Sequence, residues 1–135
     1  MQRYRARISG PLLDRIDAQC LVPRAAAGEV ALDGPPGETS AAVAVRVAVA
    51  RARMVARQGV PNARLGVTEL TRHALPDRAG RALLERAVQQ ALLSARAQAR
   101  VLMVARSIAD LAGHERVGAP QVAEAVALRA FDRAG

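Results

Sequence analysis

The apolar residues in the second half of the chain recur with the spacing of an α-helix. Between residues 77 and 93 they fall at i, i+1, i+4 and i+5, as a helix with one buried face requires. These positions are Leu83, Leu84, Ala87, Val88, Ala91 and Leu92. The same spacing returns between residues 95 and 112, at Val101, Leu102, Ala105, Ile108 and Ala109. Ser94 is a favourable N-cap for this second helix and Gly113 is a favourable stop.

Two shorter helices are predicted on either side of this pair. The first opens at Gly66-Val67-Thr68 and ends before Pro76. The last enters through Gly118-Ala-Pro120, which places a proline in its first turn. Its expected inward residues are Val122, Ala123, Val126 and Phe131. On the helix between them, Arg106 and Asp110 are spaced i,i+4 and are expected to form an ion pair.

Residues 40–58 carry two conflicting signals. Valines at every second position from Val43 to Val49 are typical of a strand. The segment nevertheless continues for about 18 residues without a turn residue, which exceeds the usual length of a strand. We therefore predict a helix from Thr39 or Ser40 to about Gln58. Residues 40–135 then form a mainly α bundle of about five helices joined by short loops.

The first 24 residues have a different pattern, with a short helix predicted over Pro11–Ile16 and a short apolar strand over Cys20–Val22. A helix this short is marginal alone, and a lone strand cannot satisfy its backbone groups. Residues 1–24 are therefore expected to be the end of a larger α/β domain, in which Cys20 is buried. Residues 25–39 contain Gly34-Pro35-Pro36-Gly37 and are predicted to be a linker.

Composition excludes several kinds of chemistry. All 20 basic residues are Arg and the net charge is +8, so a GxxxxGK[ST] nucleotide loop and lysine catalysis are both excluded. The two histidines lack ligands at metal-site spacing, so no metal site is expected. The one cysteine fits a reducing, cytoplasmic setting. No apolar run reaches the roughly 18 residues that span a bilayer, so no membrane partner is expected.

The arginines are the remaining candidates for function. Arg46, Arg53 and Arg57 form a stripe on the first long helix, which is either a solvated face or a contact for nucleic acid or a protein partner. Arg96 lies in the first turn of the helix over residues 95–112. The helix dipole opposes a cation there, unless an anion docks beside it; Arg100 extends this positive face. Arg15 would project from the short helix towards a neighbouring molecule's phosphate.

Several segments resemble one protein family. Residues 3–17 (RYRARISGPLLDRID) are similar to the end of the AAA+ core of the magnesium-chelatase-like ATPases, of the ComM/YifB competence type. Residues 94–111 (SARAQARVLMVARSIADL) resemble the sensor-2 helix of that family's C-terminal helical lid. Asn62-Ala-Arg-Leu65 and the segment from Pro120 to Arg129 are similar to its other lid signatures.

The resemblance implies a role for three of these arginines. Arg15 would be an arginine finger acting in trans on ATP bound by the next subunit. Arg96 would be the sensor-2 arginine, with Arg100 beside it as a second nucleotide-sensing residue. The implied assembly is a homo-hexamer that uses ATP and Mg²⁺, and the partner of this chain is the AAA+ core of the same or a neighbouring subunit. DNA branch migration during natural transformation is the implied activity.

This chain has neither the Walker A nor the Walker B motif that the family uses. It is therefore expected to bind no cofactor and to hydrolyse no ATP by itself. Two alternatives stay open. One is a free-standing Arg-rich helical protein that binds nucleic acid. The other is part of the motor subunit of a true magnesium chelatase.

Overall fold

The fold is described from a computed structural model, which covers residues 12, 15–20, 22, 37–91 and 93–129. Between residues 37 and 129, the described residues form five α-helices and one short 3-10 helix. They are α1 (Ser40–Gln58), the 3-10 helix (Asn62–Arg64), α2 (Val67–His73), α3 (Arg78–Ala91), α4 (Ala95–Ala112) and α5 (Ala119–Ala127). The prediction of a mainly α bundle of about five helices is confirmed.

The predicted helix ends follow from local capping. Thr39 accepts a hydrogen bond from the N–H of Ala42 and begins α1, and Ser94 accepts one from Ala97 and begins α4. Gly59 and Gly113 end the same two helices with φ of 77° each, in the left-handed region that glycine adopts without steric cost. The helix prediction for residues 40–58 is therefore confirmed, and the strand signal of its valines is overruled.

The main core lies where α5 packs against both α3 and α4. Its buried residues are small, which allows the helices to approach closely: Ala87, Val101, Ala105, Ala109, Val117, Val122, Ala125 and Val126. Leu83, Leu84 and Ile108 pack against this cluster from the side. The predicted inward faces of α3 and α4 are confirmed at these positions, while the side chains of Ala91 and Leu92 lie outside the described residues.

A second, smaller core joins α2 and the 3-10 helix to α4. Leu65, Leu70 and Ala74 are buried there against Leu102 and Met103. By contrast, α1 buries only Ala50 and leaves Val45, Val47 and Val49 exposed. Valines at every second position point to opposite sides of a helix, so few of them can reach the same neighbour.

Three predictions were wrong. Ala123 is exposed, and the buried α5 alanine is Ala125 instead; Phe131 lies outside the described residues. Cys20 is exposed rather than buried. Cys20 and Val22 are not in a strand, because the chain here runs along the bundle: the Gln19 N–H donates to the Leu128 carbonyl at 2.7 Å.

The other predictions for the first 39 residues are tested only in part. Leu12 is helical, and the Arg15 N–H donates to its carbonyl at 3.1 Å, which closes one turn. The rest of the predicted helix over Pro11–Ile16 lies mostly outside the described residues, as do residues 25–36 of the predicted linker. The domain boundaries at 24 and 39 therefore stay predictions.

Candidate functional site

The start of α4 presents Arg96 to solvent. The Ser94 hydroxyl accepts a hydrogen bond from the Ala97 N–H at 3.2 Å, which satisfies one of the first donors of the helix. The N–H groups of Ala95 and Arg96 precede the first intrahelical bond, which Gln98 makes to the Ser94 carbonyl at 3.0 Å. The Arg96 side chain is exposed. A planar five-donor cation therefore lies beside N–H groups that have no partner within the helix, an arrangement suited to an anion.

Arg100 lies one turn further along α4 and already has a carboxylate partner. Its Nη1 is 2.8 Å from Oδ1 of Asp17 and 3.0 Å from Oδ2. Both side chains are partly exposed, at 32% and 42%. The sequence grouped Arg100 with Arg96 as a nucleotide-sensing pair, whereas the structure ties Arg100 to the segment that carries Arg15.

Arg15 is exposed, and the chain that follows it is held against the bundle. The guanidinium of Arg129, which is 2% exposed, donates from Nη1 to the Ile16 carbonyl at 3.1 Å. Gln19 is also buried at this contact. The segment that carries Arg15 is therefore attached to α4 through Arg100 and to the end of α5 through Leu128 and Arg129.

Each of the three arginines of the α1 stripe has an acceptor of its own, and Arg46 and Arg53 are exposed while Arg57 is half-buried. Arg46 pairs with Glu38 on the exposed side of the helix. Arg53 donates to the backbone carbonyl of Asp110 at 2.7 Å. Arg57 donates to both carboxylate oxygens of Asp110, at 2.5 and 2.9 Å. Two of the three therefore hold α1 against the C-terminal end of α4.

Asp110 is the centre of a buried polar network. It is 1% exposed and accepts hydrogen bonds from Arg57, from Arg106 at 2.9 Å and from the Asn62 side chain at 2.8 Å. Arg106, equally buried, also donates to the carbonyls of His114 and Glu115 at 2.6 and 2.7 Å. The predicted Arg106–Asp110 ion pair is confirmed, and the network joins α1, the 3-10 helix, α4 and the loop before α5.

Burial and charge oppose each other within this network. Burial raises the pKa of the Asp110 carboxyl, but the hydrogen bonds from Arg57 and Asn62 and the charge of Arg106 outweigh it, so the pKa lies below its ordinary value. Burial lowers the pKa of Arg106, and the charge of Asp110 opposes that shift. An arginine still keeps its proton at neutral pH. Asp110 is therefore an ionised structural carboxylate between two cations.

Sequence reasoning missed two parts of this arrangement. The signature Asn62-Ala-Arg-Leu65 singled out Asn62, but nothing along the chain connects it to Asp110, which lies 48 positions away. Arg129 also had no local signal, since its acceptor Ile16 is 113 positions away.

The described residues contain neither a cluster of metal ligands nor a membrane-spanning helix. Within these ranges, no three His, Cys, Asp or Glu side chains come together as a metal site requires. None of the described helices is both long and apolar enough to cross a bilayer.

Comparison with known proteins gives one consistent result. Residues 37–129 match the family model described as the C-terminal domain of magnesium chelatase subunit ChlI. The competence protein ComM of Haemophilus influenzae is 39% identical over 133 residues, which is 98% of this chain and 26% of that protein. The YifB proteins of Salmonella typhimurium and Escherichia coli are 37% and 38% identical over 131 residues, again 97% of this chain and 26% of each relative. The chain thus spans about a quarter of the length of these relatives.

Proposed function

The chain belongs to the family of the magnesium chelatase subunit ChlI C-terminal domain, as a ComM/YifB-like C-terminal portion, and from this we propose that it is the nucleotide-sensing lid of an AAA+ motor. One observation carries the proposal. Arg96 is exposed in the first turn of α4, at a helix start that Ser94 caps and whose first N–H groups have no partner within the helix. The family resemblance assigns this position to the sensor-2 arginine.

In this proposal Arg96 contacts the γ-phosphate of ATP. The guanidinium is exposed at the positive end of the helix dipole, so charge that develops on the phosphate would meet donors that are already in place. In this proposal Asp17, rather than a second phosphate group, is the partner of Arg100. Through this ion pair Arg100 would hold the segment that carries Arg15.

Arg15 is proposed to be the arginine finger, acting on ATP bound by the next subunit of a homo-hexamer. Its exposure suits a residue that reaches another molecule. Arginine is the residue used for this role because its planar donors match phosphate oxygens. The described residues contain no metal site, so Mg²⁺ and the phosphate-binding loop would belong to the AAA+ core of the assembly. The proposed activity of that assembly is ATP-driven DNA branch migration.

A chimera tests these roles directly. The matched quarter of the Haemophilus influenzae ComM protein would be replaced by this chain, and ATP hydrolysis and binding measured separately. We expect Arg15→Ala to lower kcat at least about a thousandfold while ATP still binds. Arg96→Ala should lower kcat roughly a hundredfold or more. Arg72→Ala, which removes an exposed arginine of α2, is the matched control.

Two results would contradict the proposal. One is a chimera that assembles and binds ATP but does not hydrolyse it, since this chain could then not act as the lid. The other is an Arg15→Ala chimera with the turnover of the Arg72→Ala control, which would remove the finger assignment while leaving the lid assignment intact.

A further inference from the structure

The segment that carries Arg15 is attached to the bundle at three successive points. The Ile16 carbonyl accepts from Arg129, the Asp17 carboxylate pairs with Arg100, and the Gln19 N–H donates to the Leu128 carbonyl. We call these three contacts the latch. They occur within four residues, and the first lies one residue after Arg15.

The three contacts differ in strength. Arg129 is almost fully buried, so its hydrogen bond to Ile16 is shielded from water and its loss would leave a buried charge less well satisfied. The Asp17–Arg100 pair is partly exposed, which makes it weak and sensitive to salt. The latch therefore has a durable part at the end of α5 and an adjustable part at α4.

The adjustable part lies on the helix that carries Arg96. Arg96 and Arg100 are four residues apart, so they lie on the same face of α4 about 6 Å apart along its axis. Asp17 is two residues from Arg15. A movement of α4 on contact with an anion at Arg96 would therefore be transmitted to Arg15 through a single ion pair.

We propose that Asp17 and Arg100 are positioning residues, whose ion pair links the orientation of Arg15 to that of α4. This inference rests on the function proposed above for Arg15. The attachment itself, however, is a property of the chain without nucleotide. It can therefore be measured independently of any ATPase activity.

The native cysteine allows the attachment to be measured. Cys20 is the one cysteine of the chain and is exposed next to Gln19, so a nitroxide label can be attached there without unfolding the protein. Its electron paramagnetic resonance spectrum separates immobilised from mobile label. We expect Asp17→Asn and Arg100→Gln each to lower the ratio of immobilised to mobile label by up to about fivefold.

Matched variants separate attachment from general loss of charge. Arg96→Gln removes the same charge one turn away on α4 and should leave the ratio unchanged. Raising the salt concentration should lower the ratio in the unsubstituted chain but not in Asp17→Asn. The double variant Asp17→Arg/Arg100→Asp should restore the ratio of immobilised to mobile label. Thermal unfolding should be nearly the same for all of these surface variants.

The same variants in the chimera test whether the latch positions Arg15. Asp17→Asn should lower kcat and leave KM for ATP unchanged, and the double variant should recover turnover. Label mobility that is identical in Asp17→Asn and the unsubstituted chain would overturn the latch. If the label is mobile in Asp17→Asn but the Asp17→Asn chimera keeps full turnover, the positioning role is overturned. Failure of the Arg15→Ala test alone would remove the proposed finger role of Arg15 but not the attachment.

Discussion

Arg57, at the end of α1, donates to both carboxylate oxygens of Asp110 on α4, across 53 positions of sequence. This contact brings a cation into a site that already contains Arg106, the i,i+4 partner of Asp110. One buried carboxylate therefore balances two guanidinium groups. Asn62 supplies a further neutral donor. The stability of the lid should depend on this carboxylate more than on any single apolar contact of α1.

Removing the charge of Asp110 should destabilise the bundle strongly. Asp110→Asn leaves Arg106 buried without its counter-charge, and such a loss costs about 3–5 kcal/mol. The free energy of unfolding, measured with urea, checks this expectation. Glu85→Gln, which neutralises an exposed acid of α3, is the control and should change it by less than about 0.5 kcal/mol. Equal stability of the two variants would contradict the role given to the network.

The same carboxylate should make stability depend on pH in acid. Because the pKa of Asp110 is lower in the folded protein than in the unfolded chain, its contribution is complete above the unfolded value, about 3.9. It is lost as the pH falls through the lower folded value. The difference in the free energy of unfolding between the unsubstituted chain and Asp110→Asn should therefore be constant near neutral pH. It should decrease below about pH 4. A difference that does not narrow there would refute this linkage.

Two glycines with the same backbone conformation offer a matched pair of substitutions. Gly59 and Gly113 both have φ of 77°, so alanine at either position costs about 1–2 kcal/mol from backbone strain. A Cβ at Gly59 meets open space, whereas one at Gly113 would lie 3.3 Å from the guanidinium of Arg53. Gly113→Ala should therefore be the more destabilising, as measured by thermal unfolding. If Gly59→Ala were the more destabilising, the Arg53 side chain would move aside from a Cβ at Gly113 without loss of stability.

The helical nucleic-acid-binding alternative makes a prediction about Arg57. Because Arg57 is bonded to Asp110, Arg57→Gln should lower stability by about 1–3 kcal/mol. It should change affinity for duplex DNA at low salt no more than Arg51→Gln, which removes an exposed arginine of the same helix. Fluorescence anisotropy with labelled DNA measures both affinities. A loss of DNA affinity in Arg57→Gln but not in Arg51→Gln would support the stripe as a contact surface. If neither variant nor the unsubstituted chain binds DNA, this alternative is removed.

Some features of the site could be predicted because they are local. The spacing of apolar residues identified α3 and α4, the capping residues Ser94 and Gly113 marked the ends of α4, and the i,i+4 rule paired Arg106 with Asp110. Each depends on the geometry of one helix. The position of Arg96 in the first turn follows from the same geometry, and the structure adds that the side chain is exposed.

The features that could not be predicted depend on how the helices cross. The α1 stripe indicated one basic face, but a helical wheel does not show that Arg53 and Arg57 reach Asp110. The apolar run at Cys20–Val22 indicated a strand. The backbone before it instead bonds to the Leu128 carbonyl, an acceptor far along the chain that no local pattern reveals. Cys20 was expected to be buried for the same reason.

The sequence by itself determined the helices, their caps and the family of the protein, since these depend on short-range spacing and on residue identity. Only the tertiary structure decided which arginines are held inside the fold and which face solvent. Arg57, Arg100 and Arg129 find their acceptors 53, 83 and 113 positions away. Arg15 and Arg96 stay exposed. Pairing at such distances is set by the packing of whole helices, which no local pattern along the chain specifies.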